Sequence, residues 1–492
     1  MMKYSIELLR VERLQTNWLV AVPARLRSLK HGLPFLMVFT LGVVIRAIPE
    51  LMIPVYPVGY ETITYYAPPL FAGYNGLLDV FVTFFRSGPL FYVLTWAIRI
   101  ITGAHPYFIL KVVGPLLYGC LAGSFLLFLK QGLKWSRNLS IAATVLLVFQ
   151  VAALRESWDR FRNVLGLVFV FSALSALRSD WRHKWWLVGL FGVLAALSRE
   201  YIAFFLFVGV LAFVALERKD RLKAVVALTP GLIVFSIMAF MVFSSWGFWW
   251  TYTLGSSDAL GNYLWIVQDV FSILAICFLP ILPFAIKGFA KDRLLSPMVG
   301  LLSVGAFSVV VSPWLPVPGY QRWIMLLVFP LSIYAARGFD RFGLFDGENK
   351  WKLASILLAF LVVGVGYSSG AFSYVVLPNS WVPVNMLQSS IPWGQVDDVK
   401  NALGWLDENA VADSCVLTEE RFYGWTLIYL ERADSDVKVI PYGAGSSCVP
   451  ALETALRDGF HRVYLIWLTG QQMPGFRVAY PWNTVSVLEY VS

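Results

Sequence analysis

Apolar residues in this chain fall into long unbroken runs, not into the stripe of a surface helix or the alternation of a half-buried strand. A helix needs about 20 apolar residues to cross a bilayer. Runs near that length lie at roughly 33–53, 107–129, 138–154, 162–177, 185–198, 201–216, 224–243, 263–286, 296–312, 323–336 and 352–370. They predict eleven transmembrane helices. A further run, 89–102, contains Arg99 and opens with Gly88-Pro89, which predicts an interfacial or re-entrant helix and not a twelfth crossing. After the last run the pattern changes. Residues 371–390, with Pro378, Pro383 and several Ser and Asn, read as a linker. In 391–492, helical stretches at 396–408, 422–431 and 449–457 alternate with β-rich runs at 414–418, 437–443, 462–468 and 484–491. That alternation predicts a small α/β domain of three or four strands.

Composition supports the membrane reading. The chain is 58% hydrophobic and 14% charged, with a mean hydropathy of +0.67, whereas a soluble chain carries roughly 25% charged residues. The net charge of +9 is explained by Lys and Arg collecting in cytoplasmic loops. Residues 1–32 form a basic amphipathic arm with Lys3, Arg10, Arg13, Arg25, Arg27 and Lys30. The loops that follow on the same side hold Lys130/Lys134/Arg137, Arg178/Arg182/Lys184, Arg218/Lys219/Arg221/Lys223, Lys287/Lys291/Arg293 and Arg337/Arg341/Lys350/Lys352. Loops 244–262 and 312–321, on the other side, have neither Lys nor Arg. The expected fold is therefore mainly α: a polytopic helical bundle over 33–370 in the plasma membrane, amino terminus cytoplasmic, with an extracytoplasmic C-terminal α/β domain. No basic stripe marks a soluble face, so nucleic acid is excluded as a partner. Four Cys are too few for a disulfide framework or a zinc site, although Cys415 and Cys448 would lie where a disulfide is permitted.

Topology directs attention to the first outer loop, 54–106, and its stretch PVGYETITYY at 57–66. Glu61 is the only acid in that loop ahead of Asp79. Three other polar clusters share its side: RESWDRFRN at 155–163, SRE at 198–200 and GYQRW at 319–323. Charges at membrane level are costly and are functional unless paired. The paired alternatives are specific: Glu156 and Asp159 against the arginines of their own cluster, Arg199 against Glu200 at a helix tip, and Arg322 as a snorkelling interfacial residue. Arg46 and Glu50, at i and i+4, suit a pair along one helix face. The Trp- and Tyr-rich loop 244–262 reads as an interface belt whose rings also suit sugar stacking.

The pattern P-x-G-Y-(acid)-T-x-x-Y-Y at 57–66, W-D-x-x-R-N at 158–163 and an outward arginine ahead of a late span resembles the GT-C class over roughly 33–345. These membrane glycosyltransferases take sugar from a polyprenyl-phosphate carrier; oligosaccharyltransferase catalytic subunits and protein O-mannosyltransferases are members. The class usually has an Asp, or an adjacent acid pair, where this chain has Glu61. The resemblance implies a polyprenyl-phosphate-linked sugar donor and a glycan, lipid or protein acceptor. The residues fit that chemistry. Sugar nucleotides stay in the cytoplasm, so an external transferase needs a lipid-borne donor. Its phosphate leaving group requires positive charge, for which Arg322, Arg162, Arg160 and Arg199 are the candidates. Glu61 is the expected catalytic base. Tyr60, Tyr65, Tyr66, Trp158, Asp159 and Tyr320 are the expected substrate-loop residues. A divalent metal (Mg or Mn) held by Glu61 and Asp159 is the alternative means of sharing the phosphate charge. A lipid-linked-sugar flippase and a non-catalytic scaffold presenting the C-terminal domain are the rival readings.

Overall fold

The structure, a computed structural model, describes residues 32–53, 56–217, 220–243, 259–311, 319–370, 386, 388–389, 391–430, 437–443, 447–468 and 473–491. The basic arm, nearly all of loop 244–262 and most of the linker lie outside the described residues. The molecule is mostly helical with a small C-terminal sheet. Six helices are long and apolar enough to cross a membrane, or up to eight if each of two bent pairs counts as one span.

The first helix, α1 (Gly32–Met52), carries the predicted pair, with Arg46 Nη1 2.9 Å from Glu50 Oε1 and both side chains buried. The outer loop contributes a π-helical turn (Thr62–Tyr66), α2 (Ala67–Phe71) and α3 (Leu77–Thr83). It also holds α4 (Pro89–Thr102), the short helix expected at 89–102. Next come α5 (Pro106–Leu127), α6 (Arg137–Phe149), α7 (Val151–Asp159) and α8 (Phe161–Leu177). Then follow α9 (Lys184–Ser198), α10 (Glu200–Glu217), α11 (Arg221–Phe243), α12 (Ala259–Phe278) and α13 (Leu282–Gly288). The bundle ends with α14 (Leu295–Val311), α15 (Tyr320–Leu326), α16 (Val328–Arg341) and α17 (Lys350–Ser368).

RESWDRFRN, expected in a turn on the outer side, instead continues a helix: residues 155–159 form the end of α7, every residue of which is buried. The chain breaks at Gln150, whose extended backbone bends α7 by 62° from α6 and folds it back into the bundle. The burial is tolerated because the charges neutralise one another along the helix. Arg155 pairs with Asp159 and Arg160 with Glu156, both at i, i+4. This is the pairing of Glu156 and Asp159 with the arginines of their own cluster that the sequence offered as an alternative.

The C-terminal domain runs α18 (Val396–Asn409), β1 (Ser414–Glu419), α19 (Glu420–Leu430), β2 (Lys438–Tyr442), α20 (Val449–Arg457), β3 (Arg462–Leu468), β4 (Phe476–Tyr480) and β5 (Val485–Tyr490). The sheet has five strands, not three or four, in the order β2-β1-β3-β5-β4. β1 pairs parallel with β2 and β3, Val416 standing opposite Val439 and Tyr464, while β5 runs antiparallel to β3 and β4. All of β1 is buried, which makes a central parallel strand legible as a continuous apolar run. The strand missed is β4, a half-exposed edge with Arg477 near its start. Cys415 and Cys448 are both buried and are separate thiols.

This domain is not tethered loosely. Ile63, Leu70 and Phe91 of the outer loop belong to the same apolar core as Val416, Phe422 and Trp425 of the domain. Gly424 of α19 lies so close to the π turn that a Cβ there would sit 2.5 Å from the Thr64 Cα.

Candidate functional site

A polar network in α1 sets the site loop. Arg46 donates from Nε to the Ser157 carbonyl at 3.1 Å and from Nη2 to the Trp158 carbonyl at 2.7 Å, capping the free C-terminal carbonyls of α7. Its partner Glu50 accepts the Val58 N–H at 3.2 Å. The loop is thus pulled across the end of α7, and Gly59 makes the crossing. With φ +123, it sits where a Cβ would be 2.6 Å from the Asp159 Cβ and 2.7 Å from the Thr62 Oγ1. The Glu61 N–H then donates to Asp159 Oδ2 at 3.3 Å.

Residues from three distant parts of the chain meet at the Glu61 carboxylate. Arg322 Nη2, on α15, lies 3.1 Å from Glu61 Oε1 and forms a hydrogen-bonded ion pair. Arg160 Nε lies 3.8 Å from the same oxygen. Arg160 also bonds Glu156 Oε2 at 2.8 Å through Nη1 and touches the Met325 sulfur at 3.2 Å. Glu61 is 12% exposed and Arg322 32%, so the pair opens towards solvent while Arg160, at 3%, forms its floor. Burial opposes the charge on Glu61, but Arg322, Arg160, Arg162 and Arg155 outweigh it and hold its carboxyl below the usual carboxylate range. Glu61 is therefore an anion with weak basicity.

The other predicted residues divide into two groups. Arg162 lies near the cluster, but its guanidinium donates to the Tyr66 hydroxyl at 3.3 Å and to the Ser87 carbonyl, and stacks over Tyr66 and Tyr92. It pins the outer loop to α8. Arg199 keeps the helix-tip pair with Glu200 at 3.4 Å and lies over the Tyr201 ring. Tyr66 is packed between Phe91 and Phe161. Trp158, expected at the substrate, is fully buried, donates to the Gln388 carbonyl at 2.9 Å and packs on Tyr367. Asp159 is likewise closed off, its oxygens taken by Arg155 and the Glu61 N–H. Burial of α7 turned both into supports.

Tyr60 and Tyr65 remain at the mouth. The Tyr65 side chain is exposed. Burial, and then the hydrogen bond its hydroxyl donates to Glu420 Oε1 at 2.8 Å, raise the Tyr60 phenol above its ordinary range. Tyr320 faces away from the carboxylate: its hydroxyl donates to Asp269 Oδ2 at 2.7 Å, and Gln321 joins at 3.3 Å, so α15 is anchored to α12 just ahead of Arg322. Asp269 and Glu420 escaped the sequence reading. Asp269 could have been found as a lone acid within an apolar run; Glu420, in a soluble domain, carries no such signal.

The residues do not fit the expected metal. Two carboxylates engaged by guanidiniums leave no free donor pair, and the surrounding arginines repel a divalent cation. No group of three His, Cys, Asp or Glu side chains suited to a metal occurs among the described residues. What the cluster can take is an anion. The Arg160 Nε is buried and hydrogen-bonds to nothing among the described residues, as do the Tyr201 hydroxyl and the Thr62 Oγ1. Neither a protein-family model nor a curated protein matches the chain.

Proposed function

We propose that the chain is an integral membrane glycosyltransferase that moves a sugar from a polyprenyl-phosphate-linked donor to an acceptor on the outer face of the plasma membrane. The observation that carries this reading is the arginine cluster closed by Glu61, with Arg322 and Arg160 both within ion-pair distance of one carboxylate oxygen. A phosphate competes with Glu61 for guanidinium forks that suit its oxygens. The phosphate arrives with a lipid tail, and Arg322 stands near the start of a segment, Tyr320–Arg341, that is long and apolar enough to cross a membrane.

In this reading Arg322 and Arg160 stabilise the charge that develops on the departing phosphate. The acceptor oxygen attacks the anomeric carbon from the opposite face, the bond from that carbon to the phosphate oxygen breaks, and polyprenyl phosphate leaves with the electron pair. The product is inverted. Glu61, an anion beside the sugar, favours the positive charge that builds on its ring. Arg162, Tyr66, Trp158 and Asp159 hold the loop that carries Glu61. The proposed topology counts the eight candidate spans, with each bent pair as one, plus the short apolar helices α8, α9 and α14; α4 stays at the interface.

The test is lipid-linked glycan profiling of cells with and without the gene. The proposal expects glycans one sugar short in the deletion. Accumulation of a complete carrier-linked glycan inside the cell would instead identify a flippase, and an unchanged profile would remove both activities.

A further inference from the structure

Glu61 is engaged by Arg322 at 3.1 Å and lies 3.8 Å from Arg160, and these guanidiniums hold its carboxyl below the usual carboxylate range. A displacement on carbon still has to remove a proton from the acceptor. The described structure brings one other carboxylate to the mouth of the cluster, and it comes from the C-terminal domain. Glu420 is the first residue of α19, directly after β1. The hydroxyl of Tyr60, the residue next to Glu61, reaches it at 2.8 Å. Glu420 is exposed, as is Tyr65 between the two acids. Tyr65 feels both Glu61 and Glu420 as well as Arg322.

The fold supplies an independent reason to look there. β1 is followed on one side by β2 and on the other by β3, both parallel to it. The strand order therefore reverses at the carboxyl end of β1, and open α/β sheets bind ligands in the crevice outside that point. In this protein the helix that leaves that end of β1, α19, packs against the outer loop. Gly424, one helical turn beyond Glu420, packs directly on the backbone of Ile63 and Thr64, which fixes the carboxylate relative to Glu61.

We infer that Glu420 is the catalytic base of the transfer, and that the crevice between the β1–α19 turn and Tyr60, Tyr65 and Arg322 receives a hydroxyl-bearing acceptor. The inference rests on the transferase reading above. Glu420 takes the acceptor hydroxyl proton as the acceptor oxygen bonds to the anomeric carbon. The bond from that carbon to the phosphate oxygen breaks in the same displacement, its electron pair leaves with polyprenyl phosphate, and Glu420 later returns its proton to water. The Tyr60 hydroxyl orients the carboxylate. The catalytic centre is then shared between two parts of the chain, the membrane part holding the donor and the C-terminal domain activating the acceptor.

The experiment uses the full chain purified into lipid nanodiscs. Binding of polyprenyl phosphate is measured directly. Transfer is measured with radiolabelled polyprenyl-phosphate mannose, glucose, galactose and arabinose in turn, added with membranes of the source cell from which the gene has been deleted. Glu420→Gln is expected to bind polyprenyl phosphate as wild type does and to transfer about 10²–10⁴-fold more slowly, the range for loss of a general base. Glu420→Ala is expected to regain part of the rate in formate, which supplies the missing carboxylate. If Glu420 only clamps the domain, the Gln variant, which still accepts the Tyr60 hydroxyl, transfers at the wild-type rate and the inference is overturned; a slow Ala variant that formate does not rescue overturns it too. A wild-type protein that binds no polyprenyl phosphate and transfers none of the four sugars defeats the transferase reading itself, a different outcome from either.

Discussion

Replacing Glu61 by Gln tests the centre of the site. The side chain keeps its shape and loses the charge that faces Arg322 at 3.1 Å and Arg160 at 3.8 Å. Arg160 keeps Glu156 at 2.8 Å. Arg322 has no other carboxylate partner among the described residues, so the loss falls chiefly on it. Two unit charges 4 Å apart attract by about 4 kcal/mol at an effective dielectric constant of about 20. With Arg322 32% exposed, the net value falls between an exposed pair, about 0–1 kcal/mol, and a broken buried pair, about 3–5 kcal/mol. A coupling of about 1–3 kcal/mol is expected between Glu61 and Arg322 in a double-mutant cycle of Glu61→Gln and Arg322→Gln, read from unfolding in a single detergent. A coupling within about 0.5 kcal/mol of zero would mean that the two do not meet and would refute the site as described. In the transfer assay Glu61→Gln is expected to slow the reaction by roughly 10²–10³-fold, the range for removal of one fixed electrostatic partner, with Glu61→Asp retaining part of the rate.

Arg322→Lys keeps the charge and loses the fork, so polyprenyl phosphate binding should weaken about tenfold, as for a charged hydrogen bond worth about 1.5 kcal/mol, with unfolding unchanged; wild-type binding by the Lys variant removes the donor role of Arg322. Gly59→Ala places a Cβ 2.6 Å from that of Asp159 at φ +123, and should destabilise by about 1–3 kcal/mol in the same unfolding assay; a neutral effect would mean that the loop does not cross α7 there. Glu61 has a folded-state pKa below its ordinary 4.5, so its ion pairs stabilise the fold above that pH, and the contribution is lost as pH falls through the lower folded value. Acid unfolding curves of wild type and Glu61→Gln should therefore converge below about pH 4.5; curves that stay parallel throughout would show that the carboxylate is not held low.

How much of this was legible in the sequence depended on whether a residue's environment was local. The apolar runs mark the helices because about 20 consecutive apolar residues match the thickness of a bilayer, and the Arg46–Glu50 pair follows from its spacing alone. The meeting of Glu61 with Arg322 was expected only as a shared face of the membrane; residues 261 apart in sequence carry no local sign that they touch. Asp159 and Trp158 were misjudged for an opposite reason. Their neighbours in sequence are charged, which suggests water, yet the i, i+4 pairing on α7 neutralises those charges and lets the whole helix sink. Glu420 was invisible because nothing in a surface carboxylate of a soluble domain says what lies across from it. Its meaning comes from the docking of α19 on the π turn.

That docking also constrains the topology. The Tyr56 hydroxyl donates to Asp397 Oδ1 at 2.9 Å, Tyr60 reaches Glu420, and Gly424 abuts Thr64, so the loop after α1 and the C-terminal domain lie on the same face of the helical body. With the helical body set across a membrane as proposed, the chain makes an even number of crossings between Met52 and Ile391. In the proposed topology the eight candidate spans and the three short helices α8, α9 and α14 leave ten crossings after α1, which is even; counting α4 as well gives eleven and would put the domain on the face away from the loop it touches. The proposed topology, with α4 at the interface, is the one of these two counts that meets both the contacts and the loop charges. The agreement is testable without any activity. In a chain whose four cysteines are replaced by alanine, Asn75→Cys in the loop and Glu453→Cys on α20 should both react with a membrane-impermeant maleimide applied to intact cells, and Lys352→Cys at the start of α17 should not. Labelling at Asn75 without labelling at Glu453 would separate the domain from the loop, and with it the shared site; labelling at Lys352 alone would invert the molecule and place the cluster in the cytoplasm, where sugar nucleotides are at hand and the case for a lipid-borne donor no longer holds.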